Sequence, residues 1–574
     1  MPRLRLLAAA TVVAALAPAA AHAEPRPFDH RCVPRDGVRW CPTDALERRV
    51  PSFDGTPIDV DVTLPPSGDG PFPTLLLLHG LGGTKTSFLS PTEGNAGYDA
   101  PSFARAGYAV VTPTARGFGN SCGNLRSRTD DCRNGFTRLA DMRYEVRDLQ
   151  TLLGILVDQG ITQPDRIGTT GVSYGGGMSL MLGFLKDRIR LPDGRYAPWT
   201  SPNGTPLSIA AAWPRWLWSN GESIFLRNGR TPWSRTPNGV ITKAYADAIF
   251  LVGMSGFVAP PGGPISTDIT RWKAQLDRGV FTPDVQPTLD TAYVFHGVAA
   301  VRGRPSPLLL QSGWTDALFP VGQSLAVYDA IRRRYPGAPV GLQLGDLGHS
   351  PGANHPRDTA AFNEQGLAFF DGLLKSGPRR RLPRVTAYTM TCPRSAPSGG
   401  GPFRAEEYED LARGALRFGS RGRLRIDSRG RSEGLAEELN PLTGHHCQQH
   451  APDRSNPATF LARSPGVTLI GRPVLSGRVR AAGANGQIIA RLWDRAPFGG
   501  QRLITRGAYR LVTNQRGRFR FALDGNGWRF ARGHRIVVEL LGRDEPTYKA
   551  SPNAWRATLS DVRVALPVRE RPRR

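Results

Sequence analysis

Arg166-Ile-Gly-Thr-Thr-Gly171-Val-Ser173-Tyr-Gly175-Gly-Gly177 reads as a buried strand that turns sharply into a helix. Its centre, Gly171 to Gly175, is a G-x-S-x-G segment. The glycines let a strand bend tightly into a helix, and the bend presents the Ser173 hydroxyl at the top of a sheet. Met178, Leu180, Met181 and Leu182 follow and predict a buried helix. The five-residue pattern alone is weak, because Gly and Ser are common. The strand before it and the apolar helix after it make it specific. Tyr174 opens that helix, where backbone N–H groups lack intrahelical partners and the dipole favours negative charge. Its N–H is a candidate donor to an oxyanion.

Working outward, short apolar runs at 75–78 and 108–112 have the look of strands buried on both faces. Alternation at Ile58, Val60, Val62 and Leu64 predicts an earlier, half-buried strand. Met142, Val146, Leu149, Leu153 and Leu156 recur every three or four residues and predict a helix over about 139–156. Residues 207–212 form another candidate strand. The rhythm resumes with a strand at 307–311, a helix near 321–333, a strand at 340–344 and a helix over about 359–374. Strands alternating with helices imply a parallel sheet covered on both faces, an α/β class. The interruption at about 213–300 is rich in Trp, Gly and Pro and reads as an inserted cap.

A serine alcohol needs a base, and the base needs an orienting carboxylate. In sheets with this turn they follow in the order Ser, acid, His, on loops after later strands. Asp316, in Gly313-Trp-Thr-Asp316, lies just beyond the 307–311 strand. His349, in Gly345-Asp-Leu-Gly-His349, lies just beyond the 340–344 strand. His355 and His296 are rival bases. Asp346 is a rival acid, but it shares the His349 loop and suits a turn better. The second oxyanion donor is expected in His79-Gly-Leu-Gly-Gly83, a Gly-rich turn after 75–78, at the N–H of Leu81. His79 precedes that turn and reads as structural. The chemistry needs no metal or organic cofactor, and no CxxC or paired Cys/His spacing suggests zinc.

The cap stretch carries Trp213, Trp216, Trp218, Phe225, Trp233 and Trp272. Pockets over a nucleophile are lined mainly by apolar and aromatic side chains, so Trp213, Trp216 and Trp218 are candidate pocket residues. The stretch shows no assignable acidic cluster for a substrate ammonium, and Glu222 is one isolated candidate. Beyond a basic linker at 375–384, short alternating stretches at 468–479, 487–493, 518–523 and 534–541 predict an all-β sandwich of jelly-roll type. The division is therefore 1–23, 24–384 and 385–574.

Residues 1–23 read as a secretory signal. Arg3 and Arg5 precede an apolar run, and Ala21-His-Ala23 is an A-x-A cleavage site. The run is too short to span a membrane, so no stable insertion is expected. Six cysteines fit export. Nearest-neighbour pairing gives Cys32–Cys41, Cys122–Cys132 and Cys392–Cys447, the simplest of the fifteen arrangements that six allow. The chain of 574 residues carries a formal net charge of +26, almost all of it from Arg. A nucleic-acid binder would gather such charge in a stripe with interleaved aromatics. Here Arg is scattered, apart from Arg379-Arg-Arg381 and the tail from Arg569, so compositional bias is the preferred reading and no nucleic-acid partner is expected.

The combined motifs resemble the X-Pro dipeptidyl-peptidase and cocaine-esterase-like serine hydrolases. Gly171-Val-Ser-Tyr-Gly-Gly-Gly177 is similar to that family's nucleophile turn, including the Tyr after Ser. Arg116-Gly-Phe-Gly-Asn-Ser-Cys-Gly123 looks like its RGxGxSxG loop. Gly313 to Asp316 looks like its acid segment, and Gly348-His349 like its base. Gly471-Arg-Pro473, Ala490-Arg-Leu-Trp-Asp494 and Arg543 to Tyr548 are similar to its C-terminal part. The resemblance covers most of the chain after residue 23. It implies an α/β-hydrolase core, a helical cap and a galactose-binding-like jelly roll that packs on the core and helps wall the active site. Members often carry Pro-Tyr, with the Tyr hydroxyl serving the oxyanion, where this chain has His79-Gly80; a backbone donor must replace it. The expectation is a secreted enzyme acting on a small ester or peptide, with dipeptidyl release from X-Pro peptides as the alternative. A non-catalytic cell-surface protein whose sandwich grips glycan is the competing class. It gives no reason for Ser173, Asp316 and His349 in that order. Oligomeric state is not legible.

Overall fold

The apolar runs at 75–78 and 108–112 lie at the centre of an 11-stranded sheet in the computed structural model, which describes residues 24–90, 97–227, 239–253, 269–279, 282–349, 352–376, 384–398, 400–430, 447–452, 456 and 458–571. The signal reading of 1–23, Trp233 and the Arg379 to Arg381 patch fall outside the described residues. The strands are β1 (Val33–Arg35), β2 (Val38–Cys41), β3 (Val60–Leu64), β4 (Phe72–Leu78), β5 (Ala109–Pro113), β6 (Thr162–Val172), β7 (Ile209–Arg215), β8 (Leu308–Gly313), β9 (Val340–Gly345), β10 (Val385–Ala387) and β11 (Phe403–Ala405). In space they run β1-β2-β3-β5-β4-β6-β7-β8-β9-β10-β11. From β5 to β10 in that order, all neighbours are parallel.

The four leucines of β4 show why the run is continuous. Leu76 and Leu78 face a core shared with helices α2 (Glu145–Asp158), α3 (Tyr174–Leu185) and α8 (Gly322–Arg334). Leu75 and Leu77 face the opposite core, under α1 (Ala100–Arg105) and α9 (Pro356–Leu374). A strand between two helical layers buries both faces, so period-two alternation is lost. β3, expected to be half-buried, is buried at every residue: Val60, Val62 and Leu64 face the first core, while Asp61 on the other face is covered by Trp40 Nε1 at 3.1 Å and Lys85 Nζ at 2.6 Å.

Several expectations shift. The helix expected from 139 begins at Glu145, because Leu139 and Ala140 take positive φ of 57° and 59°. Glu145 accepts N–H bonds from Arg138 (2.5 Å) and Asp141 (3.1 Å), which folds that segment into a turn. The strand expected to stop at 212 continues to Arg215, so Trp213 belongs to the sheet and the cap begins later. The cap helices are α4 (Gly221–Phe225), α5 (Lys243–Gly253), α6 (Ile269–Arg278) and α7 (Gln286–Phe295). β10 and β11 lie beyond residue 384, so the first sheet extends past the point where the sequence suggested a new domain.

The C-terminal part is all β. A seven-stranded sheet and a four-stranded sheet enclose a second core that includes Leu475, Phe521 and Leu559 from one and Ile488, Leu492 and Val538 from the other. The stretch expected as one strand over 468–479 is two, Val467–Gly471 and Val474–Gly483, interrupted at Arg472-Pro473. This domain packs on the cap: Val240 clusters with Ile489, Ala508, Leu541 and Tyr548, and Arg510 Nη2 donates to the Gly239 carbonyl at 2.9 Å. It also touches the core where Met390 N–H donates to the Gly527 carbonyl at 2.8 Å. The three disulfides pair as nearest neighbours: Cys32–Cys41, Cys122–Cys132 and Cys392–Cys447. Among the described residues no helix is long and apolar enough to cross a membrane.

Candidate active site

Ser173 sits between β6 and α3 with φ 56° and ψ −116°, a conformation that L-residues rarely adopt. Two contacts hold it there. Its N–H donates to the Arg215 carbonyl at the end of β7 (3.0 Å), and its carbonyl accepts from Gly177 N–H (2.9 Å). Gly175 passes so close to the Leu78 carbonyl that a Cβ at this position would collide with it. The tight turn therefore depends on the glycine that the sequence placed two residues after Ser173.

The loop after β9 brings His349 to Ser173. His349 Nε2 lies 2.7 Å from Ser173 Oγ, and His349 Nδ1 lies 2.8 Å from Asp316 Oδ2. Asp316 comes from the loop after β8 and its carboxylate is fully buried. Its second oxygen accepts the N–H groups of Leu318 (3.0 Å) and Phe319 (2.9 Å). Gly348 has φ +109° and lies against the Asp316 carboxylate, so only a residue without a side chain fits between acid and base. The rings of Trp216 and Phe319 meet the His349 ring edge to face, at 5.5 and 5.0 Å. They hold the imidazole plane while its two nitrogens face Ser173 and Asp316.

The rivals are placed elsewhere. His355 precedes α9 and lies 3.4 Å from Asp346, which raises its pKa. Asp346 Oδ1 accepts from Thr315 Oγ1 at 2.8 Å. His296 is buried in the cap, with Nδ1 on the Leu139 carbonyl at 2.8 Å. Neither alternative base is brought to Ser173.

Tyr174 is the first residue of α3, so its N–H has no carbonyl one helical turn back. The turn after β4 lies beside it, with Gly80 against Ser173. The Gly80 carbonyl accepts two bonds, from the His79 ring Nδ1 (2.7 Å) and from Gly83 N–H (2.9 Å). The next N–H, that of Leu81, shares the same planar peptide and so points the opposite way. His79 Nε2 accepts from Ala115 N–H (2.9 Å), which fixes the neutral tautomer with the proton on Nδ1. Burial lowers its pKa to about 4, so the ring stays neutral. His79 thus orients the turn and is structural, in keeping with its sequence position.

Of the candidate pocket residues, Trp216 alone lies beside the His349 ring. Trp213 is fully buried on β7, with its ring against Tyr98 and Phe370. Its place in the pocket is corrected: the strand extends through it, and it faces the core under α9. Trp218 is also interior, donating its N–H to the His296 carbonyl at 2.7 Å and packing on Phe319 at 5.1 Å. Glu222 is buried in the first turn of α4. Phe319 escaped the sequence reading, since a Phe three residues after the acid carries no signal of its own.

Glu145 was also missed. It reads as one more polar residue of a helix, yet it is buried and accepts the Tyr174 hydroxyl at 3.2 Å. The same hydroxyl accepts Ala140 N–H at 2.8 Å. Burial pushes the Glu145 carboxyl up to about 7, from an ordinary value of 4.5. Between those values the folded protein holds a proton that the unfolded chain has released. Stability from this group is therefore present below pH 4.5 and lost as pH rises through about 7. The difference in Tm between the wild type and Glu145→Gln should fall from pH 4.5 to 7 and level off above. Melting curves at one-unit steps check this; a pH-independent difference rejects it.

The Arg116 to Gly123 loop is anchored in the same region. The buried Arg116 guanidinium bonds Asp148 (2.7 Å from Nε) and Asp54 (2.8 Å from Nη1). Ser121 Oγ donates to the Thr114 carbonyl at 2.8 Å. Among the described residues no cluster of His, Cys, Asp and Glu could hold a metal ion.

Comparison with known proteins agrees with this architecture. The model of the X-Pro dipeptidyl-peptidase (S15 family) matches residues 54–188, and that of the X-Pro dipeptidyl-peptidase C-terminal non-catalytic domain matches residues 464–564. Similar solved structures include an aminopeptidase from a marine sediment Thaumarchaeota archaeon, with TM-score 0.59 and 13% identity, covering 93% of this chain and 97% of that one. A CocE/NonD family hydrolase from Staphylococcus aureus has TM-score 0.58 and 13% identity, covering 92% and 94%. An alpha-amino acid ester hydrolase has TM-score 0.58 and 15% identity, covering 94% and 98%. At these identities the likeness establishes the fold. No curated protein matches the chain.

Proposed function

For a serine hydrolase similar to the X-Pro dipeptidyl-peptidase and cocaine-esterase-like enzymes, which this chain is, we propose cleavage of small hydrophobic esters through an acyl-enzyme on Ser173. The observation that carries the reading is the unbroken chain Asp316–His349–Ser173, with links of 2.8 and 2.7 Å. His349 Nε2 takes the hydroxyl proton as Ser173 Oγ bonds to the carbonyl carbon. Asp316 keeps the Nδ1–H tautomer and stabilises the imidazolium. The N–H groups of Tyr174 and Leu81 receive the oxyanion, a contribution of roughly 3–4 kcal/mol for one such donor. His349 then gives its proton to the leaving oxygen as the C–O bond breaks. Water repeats the sequence on the acyl-enzyme and releases the acid.

Trp216 beside His349 supports an apolar acyl or leaving group. A dipeptidyl peptidase needs in addition a carboxylate for the substrate's ammonium, since an unpaired buried charge is costly. The cap sequence shows no acidic cluster suited to that role, and Glu222 is an isolated candidate. A parallel screen of p-nitrophenyl esters of graded chain length against X-Pro anilides tests the reading. Higher kcat/KM is expected for an ester. If an X-Pro anilide exceeds every ester, the assignment moves to dipeptidyl release and Glu222 is the first residue to replace. We further read the enzyme as exported, with 1–23 as its signal; the three disulfides support an oxidising compartment.

A further inference from the structure

Seven of the arginines that look scattered in the sequence are gathered by the C-terminal domain onto one sheet face. In the seven-stranded sheet, Val474–Gly483 pairs with Arg516–Ala522 on one side and with Trp555–Val568 on the other. Leu424–Asp427 pairs with the far edge of Trp555–Val568. The inward residues Val479, Phe519, Phe521 and Leu559 fill the second core. The outward positions between them are Arg478 and Arg480 on the first strand, and Arg516, Arg518 and Arg520 on the second, all exposed. Arg425 and Arg556 extend the array across the other two strands.

Register makes this arrangement costly. Arg478 lies directly opposite Arg518, and Arg480 directly opposite Arg516. Like charges in cross-strand pairs destabilise a sheet. Ordinary surfaces intersperse both signs. Here, among the described residues, none of these arginines forms an ion pair, and the acidic lining of the concavity over this face is Asp427 alone. That concavity measures about 1140 Å³ and is lined by Arg423, Arg425, Arg478, Arg480, Arg516 and Arg556, with Thr558 and Ser560 on its floor.

We propose that this face docks a linear phosphodiester polymer without bases, at a place separate from Ser173. Arginine's planar fork pairs bidentately with phosphate, and a fixed positive array gains by releasing the polymer's counterions. Outward residues repeat about every 6.6–6.8 Å along each strand, so a flexible chain can meet several guanidinium groups in succession. None of the large exposed hydrophobic side chains lies on these strands. Single-stranded nucleic acid therefore finds no aromatic stacking platform, and a bilayer finds no apolar anchor.

The test uses the full disulfide-bonded chain and fluorescently labelled poly(glycerol phosphate), titrated by anisotropy between 50 and 200 mM salt. Wild-type affinity should fall roughly 50-fold over that range, as for about four phosphate contacts. The quadruple variant Arg478→Gln, Arg480→Gln, Arg516→Gln, Arg518→Gln should lose at least roughly 30-fold at 50 mM. Its p-nitrophenyl ester turnover should stay within about twofold of wild type, which reports an intact fold and a separate site. A control of equal charge, Arg126→Gln, Arg333→Gln, Arg357→Gln, Arg532→Gln, should lose little affinity. Equal loss in the control overturns the proposal, because net charge alone would then explain binding. So does tighter binding, per phosphate, of duplex DNA or of vesicles containing anionic lipid.

Discussion

Ser173→Ala is expected to lower kcat/KM for p-nitrophenyl esters by roughly 10⁵–10⁶-fold and to abolish fluorophosphonate labelling. The magnitude follows from the loss of the one atom that forms the acyl bond. The N–H groups proposed as oxyanion donors belong to the backbone and survive the substitution, so a residual acceleration of roughly 10³-fold over water should remain. Stability distinguishes this variant from Ser173→Gly. The φ of 56° at Ser173 costs on the order of 1–3 kcal/mol for any residue with a Cβ, and Ala keeps that strain. Gly adopts the conformation without it. Ser173→Gly should therefore raise Tm relative to Ser173→Ala, with both inactive. Labelling that persists in either protein would place the nucleophile elsewhere.

The legible parts of the chain are those where one physical requirement dominates. A strand between two helical layers must be apolar throughout, and β4 and β5 declared themselves that way. The turn at Ser173 needs glycines at fixed offsets. Asp316 and His349, whose side chains meet at 2.8 Å, could be singled out because each follows a strand end. Two disulfides follow from local pairing, with separations of 9 and 10 residues, whereas Cys392–Cys447 spans 55 residues and follows only from nearest-neighbour order. What stayed hidden depends on partners far away in sequence. Leu139 and Ala140 fit a helical repeat, but the buried Glu145 carboxylate competes for the backbone N–H groups there and wins. Trp213 looked like cap because it opens a Trp-rich stretch, yet strand pairing with β6 carries the sheet past it to Arg215. The arginine face was hidden for another reason. Alternating Arg along a single strand is unremarkable. Only the register that sets Arg478 against Arg518 turns single-strand patterns into a surface.

Asp316→Asn carries the second large effect and separates the acid from its rival Asp346. Asp316 Oδ2 accepts both the Nδ1–H and the backbone N–H of His349, at 2.8 and 3.2 Å, and Oδ1 accepts two further backbone donors. Every group facing this carboxylate is therefore a donor. An amide keeps one acceptor oxygen, so its NH₂ must confront a donor on one side. If the NH₂ faces His349, the ring relieves the clash by carrying its proton on Nε2 instead. That tautomer cannot accept the Ser173 proton. The expected result is a fall of roughly 10⁴-fold in kcat at neutral pH, with KM changed far less. Asp346 has different duties: it pairs with His355 and accepts from Thr315. Asp346→Asn should lower Tm through the loss of that buried pair, while kcat of the folded fraction stays within about tenfold of wild type. Should Asp346→Asn silence the enzyme while Asp316→Asn leaves kcat intact, the acid would have been assigned to the wrong loop.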